Sequence, residues 1–218
     1  MVDIYWSIPY CTDSFLDSPV EFCELHSVIK DLKQTKAPGQ DGISYEFYKE
    51  VPRCFFIELL GIYNKIVLHN TIPTSFKKYI LMPLFKKGYP SIPSNDPGLS
   101  ITDAISKIFN MILLNCLTFW IERFNILNEF QSGFRKNYST VDNIFNLTNI
   151  AELNKAQGKK TFAFFVDFSC AFDTISRNCL FYKLSCLRLL TKFINILQST
   201  YDGTESKIWD GASFSSSF

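Results

Sequence analysis

Between Ile105 and Phe124 the chain carries its most binding constraint. Ile105, Ile108, Phe109, Ile112, Leu113, Leu117, Trp120, Ile121 and Phe124 recur with the 3.6-residue period of an amphipathic helix. A long helix with a continuous apolar stripe is stable only when that stripe is buried against a second layer. Asn115 and Thr118 interrupt its most apolar stretch, and no run of 18 residues is wholly apolar, so a membrane span is not expected. Ser100 and Asp103 precede it as candidate caps.

The other elements are arranged around this helix. Ser18-Pro19-Val20-Glu21 reads as an N-cap, a proline at the first helical position and a capping-box acid. Phe22, Leu25, Ile29 and Leu32 then share one face. That helix stops before Lys36-Ala37-Pro38-Gly39-Gln40-Asp41-Gly42, a loop by its Pro and Gly content. The pattern predicts a second helix from about Arg53 to His69, with Phe56, Leu59, Leu60, Tyr63 and Val67 inward. Tyr79–Phe85 reads as a strand entering a turn at Lys86-Lys87-Gly88, and Pro90, Pro93, Pro97 and Gly98 make 89–98 a loop.

Gln131–Asn137 is polar and forms a loop, after which Ser139 and Asp142 cap a helix that ends at Gln157-Gly158. Thr161–Phe168 is rich in β-formers and apolar on both faces, which predicts a centrally buried strand. Two more helices are expected, one carrying Ile175, Leu180, Leu184 and Leu187, the other at Thr191–Tyr201. A strand begins near Ser206. With no repeat and no linker, the fold class is α+β, helix-rich with a short sheet.

Hydrophobic residues make up 47% and charged residues 20% of the 218, enough apolar material for a core and unlike a disordered tail. The net charge is +1, so any attraction for a polyanion must be local. It is found between Leu59 and Asn95. That segment has no Asp or Glu but holds Lys65, Lys77, Lys78, Lys86 and Lys87, interleaved with Tyr63, Phe76, Tyr79, Phe85 and Tyr89. Lysines attract phosphate and aromatic faces stack on bases.

Seven cysteines, an odd number with no Cys-x-x-Cys pair, read as buried free thiols in an intracellular, reducing setting. Cys23 and His26 are spaced as half a zinc site, but no second half follows. Met1–Tyr10 lacks the basic and apolar regions of a signal peptide, so a nuclear or cytoplasmic protein is expected, not a secreted one.

Asp167 is the candidate for chemistry. It interrupts Phe162-Ala163-Phe164-Phe165-Val166-Asp167-Phe168, where a carboxylate is costly unless a cation, a hydrogen-bond network or the strand end relieves it. A hard divalent cation prefers such oxygen ligands. The alternative is a carboxylate that caps the turn at Ser169–Ala171.

Phe165-Val166-Asp167-Phe168-Ser169-Cys170-Ala171-Phe172-Asp173 resembles the first catalytic motif of non-LTR (LINE-type) retrotransposon reverse transcriptases. Four further blocks are similar to that family and stand in its order. These are Lys36-Ala37-Pro38-Gly39-Gln40-Asp41-Gly42-Ile43; Pro83-Leu84-Phe85-Lys86-Lys87-Gly88; Asn95 through Ser106-Lys107-Ile108-Phe109; and Gln131-Ser132-Gly133-Phe134-Arg135-Lys136 with Ser139-Thr140. The resemblance runs from about residue 20 to the end.

It implies part of a right-hand polymerase fold, with 1–130 mainly fingers and 131–218 fingers and the first part of a palm. Asp167 would be the first metal-binding carboxylate, with the backbone of Phe168 beside it. Phe172 would lie under the incoming sugar, its alternative being a core position. Lys86 or Lys87 would meet the triphosphate and Arg135 would hold template or nucleotide, their alternative being a solvated loop. Asp173 would be structural. The implied cofactor is Mg²⁺, and the implied partners are an RNA template, a DNA primer and deoxynucleoside triphosphates, with no membrane.

Two departures bear on activity. Asn95-Asp96-Pro97-Gly98 puts Asp96 and Pro97 where the family has Tyr and a phosphate-binding Arg. No Asp-Asp pair exists in the 218 residues, whereas the family's further carboxylates come from an aromatic-Ala-Asp-Asp hairpin after the first motif. The reading is therefore a reverse transcriptase domain cut before its second carboxylates, without thumb. The alternatives are a non-catalytic nucleic-acid-binding remnant of that domain, or a helical interaction protein.

Overall fold

The structure is a computed structural model and describes residues 16–83 and 98–218. The described chain forms two compact units. One comprises the residues up to Phe119 together with Phe181–Phe218, and the other is Trp120–Leu180.

The first unit opens with α1 (Phe22–Lys30), α2 (Tyr45–Glu50) and α3 (Arg53–His69). α1 starts later than Ser18 suggests, and its cap is Glu21, in a capping box with Glu24. The cause is Asn64 on α3. Its Oδ1 accepts from the Val20 N–H at 2.6 Å and its Nδ2 donates to the Val20 carbonyl at 3.1 Å, so Val20 is held by that amide and is not part of the helix. α3 has the expected bounds and ends on Asn70 in the left-handed region.

A short 3₁₀ turn, Thr74–Lys77, leads into β1 (Lys78–Pro83), and β2 (Gly98–Thr102) follows. β1 pairs antiparallel with β2, Tyr79 opposite Thr102 and Pro83 opposite Gly98. On its other side β1 pairs parallel with β3 (Glu205–Ile208), Lys78 beside Glu205 and Leu81 beside Ile208. The order β2-β1-β3 makes β1 central. Ser100, expected as a cap, is instead a strand residue opposite Leu81.

The long helix is α4 (Ala104–Arg123), whose residues up to Phe119 belong to the first unit, and the chain returns to that unit at Phe181, ahead of α7 (Thr191–Tyr201). The core gathers Leu25, Leu59, Tyr63, Phe109, Ile112 and Phe193, all nearly inaccessible. Tyr63 lies 5.1 Å from Phe109 between ring centroids, and its hydroxyl donates to the Ile105 carbonyl at 2.7 Å, so this buried aromatic has its polar end satisfied. Ser106 does the same toward the Phe76 carbonyl at 3.0 Å. α4 is long and apolar enough to cross a bilayer, but Ile108, Phe109, Ile112 and Leu113 are spent in this core.

The second unit holds α5 (Thr140–Ala156), and α6 (Arg177–Cys186) begins in it. Ser139 and Asp142 form the expected capping box, and Gly158 adopts the left-handed conformation that ends the helix.

The strand expected at Thr161–Phe168 does not form. These residues have no regular structure, and all are exposed, with Phe162 at 89% and Phe164 at 92%. An extended segment becomes a strand only when a neighbour takes its N–H and C=O groups. Among the described residues no strand pairs with 161–168, and the sheet is built from β2, β1 and β3 without it. The cysteines also differ from expectation. Cys23, Cys54, Cys116, Cys170, Cys179 and Cys186 are free, but four of them are exposed and two half-buried.

Candidate functional site

The sequence-predicted site residues divide between described and undescribed parts of the chain. Lys86, Lys87, Asp96 and Pro97 lie outside the described residues. Arg135, Asp167, Phe168 and Phe172 belong to the second unit.

Arg135 sits in the loop before α5, which Ser132 ties to that helix by a 3.0 Å hydrogen bond to Asn143 Oδ1. Its guanidinium forms a two-pronged pair with Glu122, Nε to Oε1 at 3.0 Å and Nη2 to Oε2 at 2.8 Å, and lies 4.2 Å from the centre of the Tyr138 ring. The planar fork matches a carboxylate, which is why Arg suits this place. Hydrogen bonding to Arg135 holds the Glu122 carboxyl below the ordinary carboxylate range. Arg135 thus braces its own loop, and any contact with a phosphate competes with Glu122.

Asp167 is exposed, and its carboxylate makes no hydrogen bond or ion pair among the described residues. It does not cap the turn after it. That turn is closed by backbone: the Asp173 and Thr174 N–H groups donate to the Cys170 carbonyl at 3.0 and 3.1 Å, with Cys170 in the left-handed region. The Thr174 hydroxyl adds a third bond to the same carbonyl at 3.1 Å. Phe172 is not a core residue; it is 77% exposed and meets Phe134 edge-on, ring centroids 6.3 Å apart. This aromatic contact joins the Gly-Phe-Arg block to the block containing Asp167.

The described residues hold at most part of a site for the family's divalent metal. Two-metal chemistry needs several oxygen ligands converging. Among the described residues no three His, Cys, Asp or Glu side chains group to hold an ion. Asp167 contributes one carboxylate alone.

The Lys36–Ile43 block shows a role that sequence reasoning missed. The backbone N–H of Asp41 donates to Asp103 Oδ1 at 3.2 Å, and Gln40 Nε2 donates to the Tyr79 carbonyl at 3.1 Å, so the loop is strapped to the start of α4 and to β1. A Cβ on Gly39 would lie 2.2 Å from Asp103 Oδ1 and 2.6 Å from its Cα, so only glycine fits. Gly42 turns the loop at φ +71°. Asp103 is buried, and that burial pushes its carboxyl above the ordinary range despite the bond from Asp41. Burial likewise pushes the neighbouring Tyr48 up to about 12. The available signal was an acid directly before a long apolar helix, which reads as a cap until the loop 62 residues earlier is seen on it.

A family model described as reverse transcriptase (RNA-dependent DNA polymerase) matches residues 86–216. The chain belongs to the reverse transcriptase family. Similar curated proteins include the probable RNA-directed DNA polymerase from transposon BS of Drosophila melanogaster, 28% identical over 78% of this chain and 19% of that protein. The corresponding probable polymerase from transposon X-element is 28% identical over 85% of this chain and 20% of its own length. The RNA-directed DNA polymerase from mobile element jockey of Drosophila funebris is 26% identical over 87% of this chain and 21% of its own. The chain therefore spans about a fifth of the length of the curated relatives it matches. It is reverse transcriptase sequence of the non-LTR retrotransposon type and covers part of that domain. A polymerase fold follows from the family, and the helix-rich units with one small mixed sheet are compatible with it.

Proposed function

We propose that these residues are the fingers and the first part of the palm of an RNA-directed DNA polymerase, which extends a DNA primer on an RNA template with deoxynucleoside triphosphates and Mg²⁺. The observation that carries the reading is Asp167 itself. It is an exposed, unpartnered carboxylate in a Phe-rich segment, which the fold does not use structurally, within the family's first catalytic motif.

In this reading Asp167 offers one oxygen ligand to the metal, which when bound would stabilise charge on the transferring phosphoryl group. Phe172 lies within the motif, edge-on to Phe134, and in this reading it screens the sugar of an incoming nucleotide. Because the remaining carboxylates are not among these 218 residues, the chain by itself does not polymerise. That second state, a nucleic-acid-binding module without catalysis, describes the isolated chain.

Primer extension on an RNA template tests both statements. Residues 1–218 alone should incorporate no labelled deoxynucleotide. In the longer polypeptide, Asp167→Ala should abolish incorporation and Phe172→Ala should admit ribonucleotides. Full incorporation by the longer Asp167→Ala protein would remove Asp167 from the active site.

A further inference from the structure

A cavity of about 240 Å³ opens into the core of the first unit, and none of its lining residues is among those assigned above to catalysis. Val20, Val67, Ile112, Leu113, Phe193 and Ile196 form its walls, and all six are buried. They come from the segment before α1 and from α3, α4 and α7. The wall is preformed, because the Asn64 amide that binds both backbone groups of Val20 fixes that segment to α3. Cys116 also lines the cavity, and burial pushes its thiol up to about 11, so it is neutral and adds to the apolar lining.

The charges lining the cavity are both acidic: the exposed Glu21 and the half-buried Glu24. Glu24 Oε2 accepts from the Glu21 N–H at 2.8 Å, and Glu21 Oε2 accepts from the Cys23 thiol at 3.3 Å, so both are hydrogen-bonded but not neutralised. Neither is in an ion pair among the described residues. Lys192, next to the wall residue Phe193, is already paired with Asp17.

We infer that this cavity binds a small primary amine with a compact apolar body, the body among Val67, Ile112 and Ile196 and the ammonium against Glu21 and Glu24. The inference goes beyond the polymerase reading and does not rest on it. An apolar cavity of about 150 Å³ stays dry and accepts a benzene ring. The larger space here takes a ring with a short arm. Water gains few partners from walls of this kind, whereas an apolar body gains contact on every side. A neutral hydrocarbon would leave the two carboxylates without a counter-charge, and an aromatic acid would set a like charge against them. A bound amine would touch α1, α3, α4 and α7 together, so it binds the folded first unit only and stabilises it.

The test uses benzylamine, protonated at pH 7, with benzyl alcohol and benzoate as its neutral and anionic counterparts. Calorimetric titration of the 218-residue chain should give benzylammonium a Kd of about 0.1–1 mM, benzyl alcohol about 5-fold weaker, and benzoate no binding. At about ten times Kd, benzylammonium should raise the melting temperature by roughly 4 °C. The double variant Glu21→Gln, Glu24→Gln should bind the amine and the alcohol equally; glutamine at 24 keeps the capping hydrogen bond of α1. Cys116→Phe should fill the cavity and abolish binding of both. Nuclear Overhauser effects from the benzyl protons to the methyl groups of Val67, Ile112 and Ile196 locate the ligand in the unmutated chain, which keeps the proposal testable if a variant fails to fold. No binding of benzylammonium, or contacts only to other methyl groups, would overturn the cavity. Equal affinity of the unmutated chain for amine and alcohol would overturn the role of the two acids and with it the proposed ligand class. Each of these failures leaves the polymerase reading intact.

Discussion

The two units treat similar material in opposite ways. In the first, Leu25, Tyr63, Phe109, Ile112, Phe193 and Ile196 are closed off from solvent. In the second, no residue from Ile121 to Leu180 is buried, although α5 carries Val141, Ile144, Phe145, Ile150 and Leu153 and the segment after it carries four phenylalanines. Burial of apolar surface is the main favourable term in folding, so the first unit supplies its own stability and the second supplies little. Apolar composition alone does not make a core. A second layer must face it, and the first unit has one.

The sharpest way to break this comparison is to delete the same side chain in each unit. Phe109→Ala should destabilise by about 3–5 kcal/mol, through lost transfer energy and a cavity beside Tyr63. Phe164→Ala should change stability by no more than about 0.5 kcal/mol, because the ring already faces water. Urea unfolding of the two variants measures both. Equal losses would mean that the phenylalanine-rich segment is packed.

Gly39→Ala probes how the first unit is closed. The added methyl meets the backbone and carboxylate of Asp103, neither able to move freely, and the cost should be about 3 kcal/mol. Thermal unfolding would show it, and a neutral result would mean that the loop does not lie on Asp103.

Asp103 gives a smaller, pH-dependent effect. Its carboxyl is raised in the folded state, chiefly by burial, so between its ordinary range and its raised value the folded state binds more proton than the unfolded one. Stability contributed by the protonated form is therefore present at low pH and lost as pH rises through that window. Asp103→Asn should remove this decline. Melting temperatures across pH 3–7 compare the two, and parallel profiles would contradict the assignment. The smallest effect belongs to Asp167→Asn, within about 0.5 kcal/mol of the unmutated chain, because nothing in the fold depends on that carboxylate. A loss near 1 kcal/mol or more would restore the capping role that the structure denies it.

Much of the helical structure in both units was legible because its signals are local. α3 and α7 have the bounds their apolar spacing predicts, and the α5 capping box is complete within four residues. Legibility failed where a distant partner decides. The Asn64 amide, 44 residues away, moves the start of α1. β2 and β3 are strands because β1 lies between them. The β-forming, apolar composition of Thr161–Phe168 is that of a buried strand, but composition carries no information about whether a neighbouring strand is present. At the candidate site, Asp167 and Phe172 stood out through chain order and motif. The commitment of Arg135 to Glu122 was hidden, since those residues are 13 apart across a loop.

Native-state hydrogen exchange of the 218-residue chain tests the central claim most directly, because it reads the backbone pairing that separates the two units. The amides of β1, α3 and the Ile108–Leu113 stretch of α4 should be protected by the global stability of the first unit. The amides of Thr161–Phe168 around Asp167 should exchange at the rate of an open chain. Protection of 161–168 comparable to that of β1 would show a paired strand there, and would contradict an account in which the catalytic-motif segment stands without a partner.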